Sequence, residues 1–342
     1  MDLKMEQNIS LKKYSTFGIG GRSRFFISVT SVAELTGAIS EAKERNWSWR
    51  LVGGGANTLF ADQDYQGLTI HMAIKGLESH DKEDETVVKA YAGEDWDKLV
   101  KWSTDRGYFG LENLSGIPGS VGAAPVQNIG SYGVELQDVL AEVEALNTET
   151  GVVESFSPEQ CRLGYRHSFF KEPAGEKYLV VSVSLLLRKK GKPVTHYRDV
   201  EERVKDIEPD ELTPERIREL ILDIRNSKFP DLGLVGSAGS FFTNPVVSTD
   251  HYRRLVEQYP ELPGHELEGG DRVKLSTAWI LDRVCGLKGW GKGKVRLYEK
   301  QPLVVVAEPG ASAMEVKELA DEVQEQVREK TGIELRWEVT FM

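Results

Sequence analysis

Between Gly110 and Gly133 the chain carries Gly116, Gly119, Gly122, Gly130 and Gly133, with Pro118 and Pro125 among them and no regular period. A stretch of this texture cannot be a plain helix or strand. Its small residues suit a backbone wrapped closely around a ligand.

On its N-terminal side, short strands and helices alternate. Arg24–Val29 is an apolar, β-prone run, and Ser31-Val32-Ala33-Glu34 has the form of a capping box. The box opens a helix with Leu35, Ala38, Ile39 and Ala42 on one face. Further strands are expected at Trp49–Val52, Leu68–Met72 and Thr86–Tyr91, followed by a helix from about Trp96 to Asp105 that stops at Gly107. On the C-terminal side, Val139–Asn147 and Val152–Phe156 flank Thr148-Glu149-Thr150-Gly151 as a hairpin, and Tyr178–Leu187 is another strand. Thr213-Pro214 supplies a cap and a first-turn proline for a helix to about Asn226. A later helix starts at Ser312-Ala313-Met314-Glu315 and buries Val316, Leu319, Ala320, Val323 and Val327. Glu334–Met342 reads as a closing strand.

Several classes of function are disfavoured. With 43 Lys+Arg against 54 Asp+Glu the net charge is −11, which repels a nucleic-acid backbone unless a local basic patch intervenes. Arg188-Lys189-Lys190, beside a glycine, reads as a solvated turn. The two cysteines, Cys161 and Cys285, have no metal-ligand spacing and fit a reducing compartment better than a disulfide framework. The N-terminal Met1–Lys12 lacks the apolar core of a signal peptide, and no run reaches the ~20 apolar residues of a membrane span. A cytoplasmic protein without metal, nucleic-acid partner, membrane insertion or obligatory protein partner is the expectation.

The first chemical signal is Val52-Gly53-Gly54-Gly55-Ala56-Asn57-Thr58-Leu59, directly after a strand. Successive N–H groups in such a turn form a nest for anionic oxygens. No Gly-Lys-Ser/Thr follows, so it is not a P-loop, and the residues alone leave a simple tight connection equally open. This sequence is similar to the pyrophosphate loop of vanillyl-alcohol-oxidase-type flavoenzymes. The run Ile117-Pro118-Gly119-Ser120-Val121-Gly122, continuing through Gln127-Asn128-Ile129-Gly130 to Gly133, resembles the flavin-embracing segment of the UDP-N-acetylenolpyruvoylglucosamine reductase family. Ser15-Thr16-Phe17-Gly18-Ile19-Gly20-Gly21 is similar to that family's N-terminal signature, and the resemblance extends from about residue 13 to 341.

The resemblance implies an α+β chain: a two-part FAD-binding region of vanillyl-alcohol-oxidase type plus a C-terminal α+β substrate-binding domain. The expected boundaries are 1–75 and 76–227 for the two FAD-binding parts, the second joined by the strand 333–342, and 228–332 for the substrate domain. It further implies non-covalent FAD, NADPH as reductant, and reduction of an enolpyruvyl ether on UDP-N-acetylglucosamine for peptidoglycan precursor synthesis. Gly53 to Leu59 and Ile117, Pro118, Gly119, Ser120, Gly122, Gln127, Asn128 and Gly130 are the implied cofactor contacts.

An enolpyruvyl reduction needs charge stabilisation at a carboxylate and a proton for the neighbouring carbon. By resemblance, Ser240 in Gly236–Pro245 is the proton donor; on the residues alone it caps a turn. Gly164–Lys171 resembles a second motif of that family, which implies that Arg166 meets the substrate carboxylate, as a planar guanidinium suits, with Arg162 the competitor and His167 structural or exposed. Leu335–Val339 resembles the family's C-terminal pattern, which implies Glu338 beside Arg166; on periodicity alone Glu338 is an ordinary strand residue. Tyr197, Lys228, Asn244 and Gln301 are the implied substrate contacts, with a solvated or capping role open for each. The first glycine loop alone also admits a flavin oxidase or dehydrogenase acting on a small alcohol or sugar, or a non-catalytic flavin binder.

Overall fold

A computed structural model describes residues 3–267 and 269–342. The first residues of the polar N-terminal stretch therefore lie outside the described residues. The chain is α+β and divides into two compact units. The first takes residues through Ile9 with Ser23–Gly54 and Tyr65–Arg225; the second takes Ser10–Arg22, Gly55–Asp64 and Asn226–Met342.

The first unit contains a mostly parallel sheet in the order Glu6–Ser10, Arg22–Val29, Tyr65–Met72, Trp49–Val52. Tyr65–Met72 pairs parallel with both of its neighbours. Parallel strands need a crossover, and Val32–Glu44 supplies it as a helix. Leu35, Ala38, Ile39 and Ala42 are all buried, as the helical spacing requires. Ser31 accepts the Glu34 N–H at 3.2 Å, but the Glu34 carboxylate reaches past the expected box to the Thr30 N–H at 2.6 Å.

The same unit holds a five-stranded antiparallel sheet in the order Val153–Phe156, Leu140–Asn147, Tyr178–Arg188, Glu85–Tyr91, Leu77–Asp81. Alternate residues Val88, Ala90, Val143, Ala145, Val183 and Leu185 face inward, where Trp96, Leu99 and Val100 of the helix Trp96–Thr104 meet them. The hairpin forms as expected, with Leu146 opposite Val153 and Gly151 in the left-handed region at φ 74. Helix Pro214–Lys228 buries Ile217, Leu220, Ile221 and Ile224 with Tyr132 and Val200. Its Arg218 grips Asp97 through both terminal guanidinium nitrogens, at 2.6 and 2.7 Å.

The second unit is organised on helix Ala313–Thr331. Ser312 and Glu315 form the complete capping box, Gly332 ends the helix at φ 67, and Asp62 accepts the N–H groups of Ala313 and Met314. Val316, Leu319, Ala320, Val323 and Val327 pack with Phe17, Phe241 and Leu297 in one core. The final segment departs from expectation. Glu334–Met342 is not one continuous strand: Trp337 forms a single bridge to Phe242, and only Thr340–Phe341 pairs as a strand, parallel to Thr58–Leu59. The apolar alternation of Leu335, Trp337 and Val339 is real, but the segment changes partner midway and so cannot keep one ladder.

Candidate functional site

Strand Trp49–Val52 delivers the chain into Gly53 and Gly54 within the first unit. A Cβ at Gly53 would lie 2.3 Å from the Ser120 Oγ, and one at Gly54 would lie 2.9 Å from the Gly119 Cα. The two glycine-rich segments therefore meet backbone against backbone, with the Gly54 N–H donating to the Ser120 Oγ at 3.3 Å. Gly119 sits at φ 128, open to glycine alone. Its carbonyl accepts the Trp96 N–H, while Val121 and Gly122 donate to the carbonyls of Glu94 and Ala92. The segment is thus docked along the chain that leaves strand Glu85–Tyr91. A cradle from which side chains are excluded fits the diphosphate of a dinucleotide such as FAD. Ile117 packs on the core beneath it.

Asn128 is fully buried at φ 46. Its Oδ1 accepts the Gln137 N–H at 3.0 Å, and its Nδ2 donates to Glu135 Oε2 at 2.8 Å and to the Gly164 carbonyl at 3.3 Å. Both donors and the acceptor are therefore engaged by protein. Gly130 lies in a two-residue strand pair, opposite Glu135.

Arg166 belongs to the same unit, in a tight turn where Gly164 and His167 exchange backbone hydrogen bonds of 3.1 Å. It is half-buried and left-handed at φ 53. Its competitor Arg162 is exposed, paired with Glu172 at 2.9 Å and laid over Phe169. His167 is exposed as well and shares Glu172 at 3.2 Å. Tyr197 is 45% exposed and meets Tyr132 edge to face at 5.5 Å. Burial, more than the charge of Asp199, raises its hydroxyl pKa, and burial pushes that of Tyr132 up to about 12. Both phenols are neutral at physiological pH.

Ser240 and Glu338 lie in the second unit on neighbouring rungs. Ser240 bridges Val304, Phe241 donates to the Leu303 carbonyl, and the Glu338 N–H donates back to the Phe241 carbonyl at 2.8 Å. The Gly236–Ser240 stretch is held close to the early signature, since a Cβ at Gly236 would fall 1.9 Å from the Phe17 carbonyl oxygen. Buried Phe241 and Phe242 anchor the far side, Phe241 against Trp337 at 4.9 Å. Asn57 donates from its Nδ2 to the Glu338 carbonyl at 2.9 Å. Gly55, at φ 63, lies against Tyr14 so tightly that a Cβ would come 1.9 Å from its carbonyl oxygen. Ala56, Thr58 and Leu59 continue this loop, and the Thr58 carbonyl accepts the buried Ser15 hydroxyl.

Asn244 accepts the Thr277 N–H through Oδ1 at 3.0 Å, which caps a helical turn. The Gln301 Oε1 is buried and has no hydrogen-bond partner among the described residues. Lys228 ends helix Pro214–Lys228. Gln127 is half-buried and Pro118 exposed in the glycine-rich segment. Sequence reasoning missed two residues that tie loops of the first unit to one another. Buried Ser168 donates to the Val126 carbonyl at 2.6 Å, and buried Asn113 donates to the carbonyls of Tyr132 and Val194, both at 2.8 Å. Their partners are 19 to 81 residues away, and no local pattern announces such bonds.

This architecture and cradle define a flavoprotein. Residues 23–157 match the family described as FAD binding domain, and residues 230–342 match the UDP-N-acetylenolpyruvoylglucosamine reductase C-terminal domain. The chain is 40% identical to the UDP-N-acetylenolpyruvoylglucosamine reductase of Pseudomonas aeruginosa, over 98% of both chains. It is 38% identical to the Escherichia coli protein of that name, over 98% of this chain and 96% of that one. The crystal structure of the Thermus caldophilus reductase superposes with a TM-score of 0.68 at 25% identity, covering 100% of this chain and 99% of that one. The chain belongs to the UDP-N-acetylenolpyruvoylglucosamine reductase family.

Proposed function

We propose that this chain reduces the enolpyruvyl ether of UDP-N-acetylglucosamine to UDP-N-acetylmuramate at the expense of NADPH, a step in making peptidoglycan precursor. The observation that carries the reading is full-length kinship at 38–40% identity with reductases of that name, through both the flavin region and the C-terminal domain. When bound, FAD would supply hydride-transfer chemistry between NADPH and the terminal carbon of the enolpyruvyl group. The Gly53–Leu59 loop and the Ile117–Gly130 segment hold the cofactor without a covalent bond.

Negative charge then accumulates on the substrate carboxylate, and Arg166 meets it with a bidentate, permanently charged fork. The Ser240 hydroxyl passes its proton to the neighbouring carbon, completing the lactyl ether. A serine is a weak acid, so this transfer requires a strongly basic carbon and a fixed hydroxyl; the Val304 and Glu338 rungs on either side of Ser240–Phe241 support such fixation. Glu338 is the third polar group of the reacting centre. Tyr197, Lys228, Asn244 and Gln301 contact the UDP-sugar or the nicotinamide nucleotide. The buried Gln301 Oε1 has acceptor capacity to offer. The three-part division at about residues 75 and 227 is the corresponding domain reading. A cytoplasmic setting accords with two buried free cysteines, and among the described residues no helix is long and apolar enough to cross a membrane.

The test is an anaerobic half-reaction. FAD bound to the purified protein is reduced with NADPH, the nicotinamide is removed, and the enolpyruvyl UDP-sugar is added while flavin absorbance is followed. Prompt reoxidation with UDP-N-acetylmuramate as product is expected. A flavin that stays reduced until air is admitted would overturn the proposal.

A further inference from the structure

The left-handed backbone of Arg166 costs an ordinary residue about 1–2 kcal/mol and persists only where the surroundings over-determine it. Three side chains surround this turn. The Asn128 Nδ2 donates to the Gly164 carbonyl at 3.3 Å, two residues before Arg166. The Ser168 hydroxyl donates to the Val126 carbonyl at 2.6 Å, two residues after it. The Lys171 Nζ donates to the Arg166 carbonyl itself at 3.0 Å. Asn128 and Ser168 are both 0% exposed, so neither side chain reaches a substrate. Both bonds join the Arg166 turn to the same short piece of the glycine-rich segment, Val126–Asn128.

We infer that Ser168 and Asn128 are positioning residues for Arg166, registering its turn to the glycine-rich segment so that the guanidinium is presented in one place. The inference rests on the reading of Arg166 as the carboxylate clamp. Its physical content is that a displacement of a fixed charge by about 1 Å can cost up to about a hundredfold. Without the two pins the turn keeps its Gly164–His167 bonds but loses its address.

The experiment titrates the oxidised, FAD-loaded protein with the enolpyruvyl UDP-sugar and reads Kd from the flavin spectrum, alongside FAD content and the rate of flavin reduction by NADPH. Ser168→Ala should keep FAD and the NADPH step while raising Kd about tenfold or more. Ser168→Thr, which retains the hydroxyl, should restore most of that loss. In an Arg166→Gln background, Ser168→Ala should add almost nothing, because there is no guanidinium left to place. Equal losses in both backgrounds would overturn the proposal and make Ser168 a general packing residue. If Arg166→Gln alone left Kd unchanged, the carboxylate-clamp reading would be what fails. Should Ser168→Ala lose FAD, Ser168→Cys carries the same cycle, since it nearly keeps the side-chain shape but replaces the hydroxyl with a weak thiol donor. Additive losses in that cycle overturn the proposal equally.

Discussion

Gly53 allows the flavin cradle to be tested with a single methyl group. Its backbone lies outside the left-handed region, so alanine meets no conformational penalty there and the whole effect is steric. The added Cβ would stand 2.3 Å from the Ser120 Oγ but 3.5 Å from the Ser120 Cβ. The first distance is more than about 1 Å inside a comfortable non-bonded separation, and the second is ordinary contact. The Ser120 hydroxyl must therefore swing away, giving up the bond it accepts from the Gly54 N–H. Overpacking of this kind costs about 1–3 kcal/mol and the lost bond about 1 kcal/mol. FAD affinity, measured by titrating apoprotein with the dinucleotide, should then fall by about ten- to a thousandfold in Gly53→Ala. Ser120→Ala removes the clashing atom. In the Gly53→Ala background it should recover FAD binding, whereas in the parent it should weaken binding or leave it unchanged. Strictly additive effects of the two substitutions would refute the claim that these segments press on each other through the Ser120 hydroxyl.

Other outcomes are expected. Ser240→Ala should leave flavin reduction by NADPH intact while product formation in single-turnover assays drops by about 10²–10⁴; equal damage to both half-reactions would make the serine structural. Burial alone would raise the Asp97 pKa, but the Arg218 bonds, the Gly116 N–H and the charges of Arg218 and Arg225 outweigh it and hold the carboxyl below its ordinary range. That contribution is complete above the free carboxyl value of about 3.9 and is lost as pH falls through the lower folded value. Asp97→Asn should accordingly melt earlier than the parent at pH 7, by the equivalent of about 1.5–3 kcal/mol, with the gap closing below about pH 4. A gap independent of pH would show that the carboxylate charge is not what matters. Removing residues 340–342 deletes the bonds Thr340 N–H to Asn57, Met342 N–H to Leu59 and Ala61 N–H to Met342. At about 1 kcal/mol each, their loss should lower the thermal midpoint by several degrees in calorimetry, and an unchanged midpoint would count against that pairing.

The elements most legible in the sequence were those whose signals are local. The caps at Ser31, Thr213 and Ser312, the hairpin turn before Val153 and the buried helix stripes all follow from spacings of a few residues. Leu77–Asp81 escaped notice because it is an edge strand with one half-buried apolar residue followed by four exposed ones, so it carries no alternation. The end of the chain misled in the opposite way: the alternation from Leu335 to Val339 promised one ladder, but the partners are two different segments. At the site, the glycine-rich segments stood out because side chains are excluded where backbones touch. Ser168, Asn113 and the full engagement of Asn128 were invisible, since each depends on a carbonyl brought near only by the finished fold. The reading of Ser240 and Glu338 as site residues rests on resemblance alone, because nothing in an exposed-to-buried pattern marks a serine or glutamate on a strand rung for chemistry.

The bond from Asn57 to Glu338 spans 281 residues, which sets an order of events during synthesis. The Gly55–Asp64 segment leaves the ribosome early, yet its partners from Ala313 to Met342 emerge much later. At about 5–20 residues per second, it waits roughly 15–60 seconds before its parallel strand can close. The intervening unit, Tyr65–Arg225, has time to fold in that interval and shorten the effective loop. Through the wait, Leu59 and Phe60, which are both fully buried in the finished protein, remain a short apolar edge beside a half-built fold. Any pause that lengthens the interval prolongs that exposure, so codon choice or chaperone access late in translation bears on the yield of the native protein.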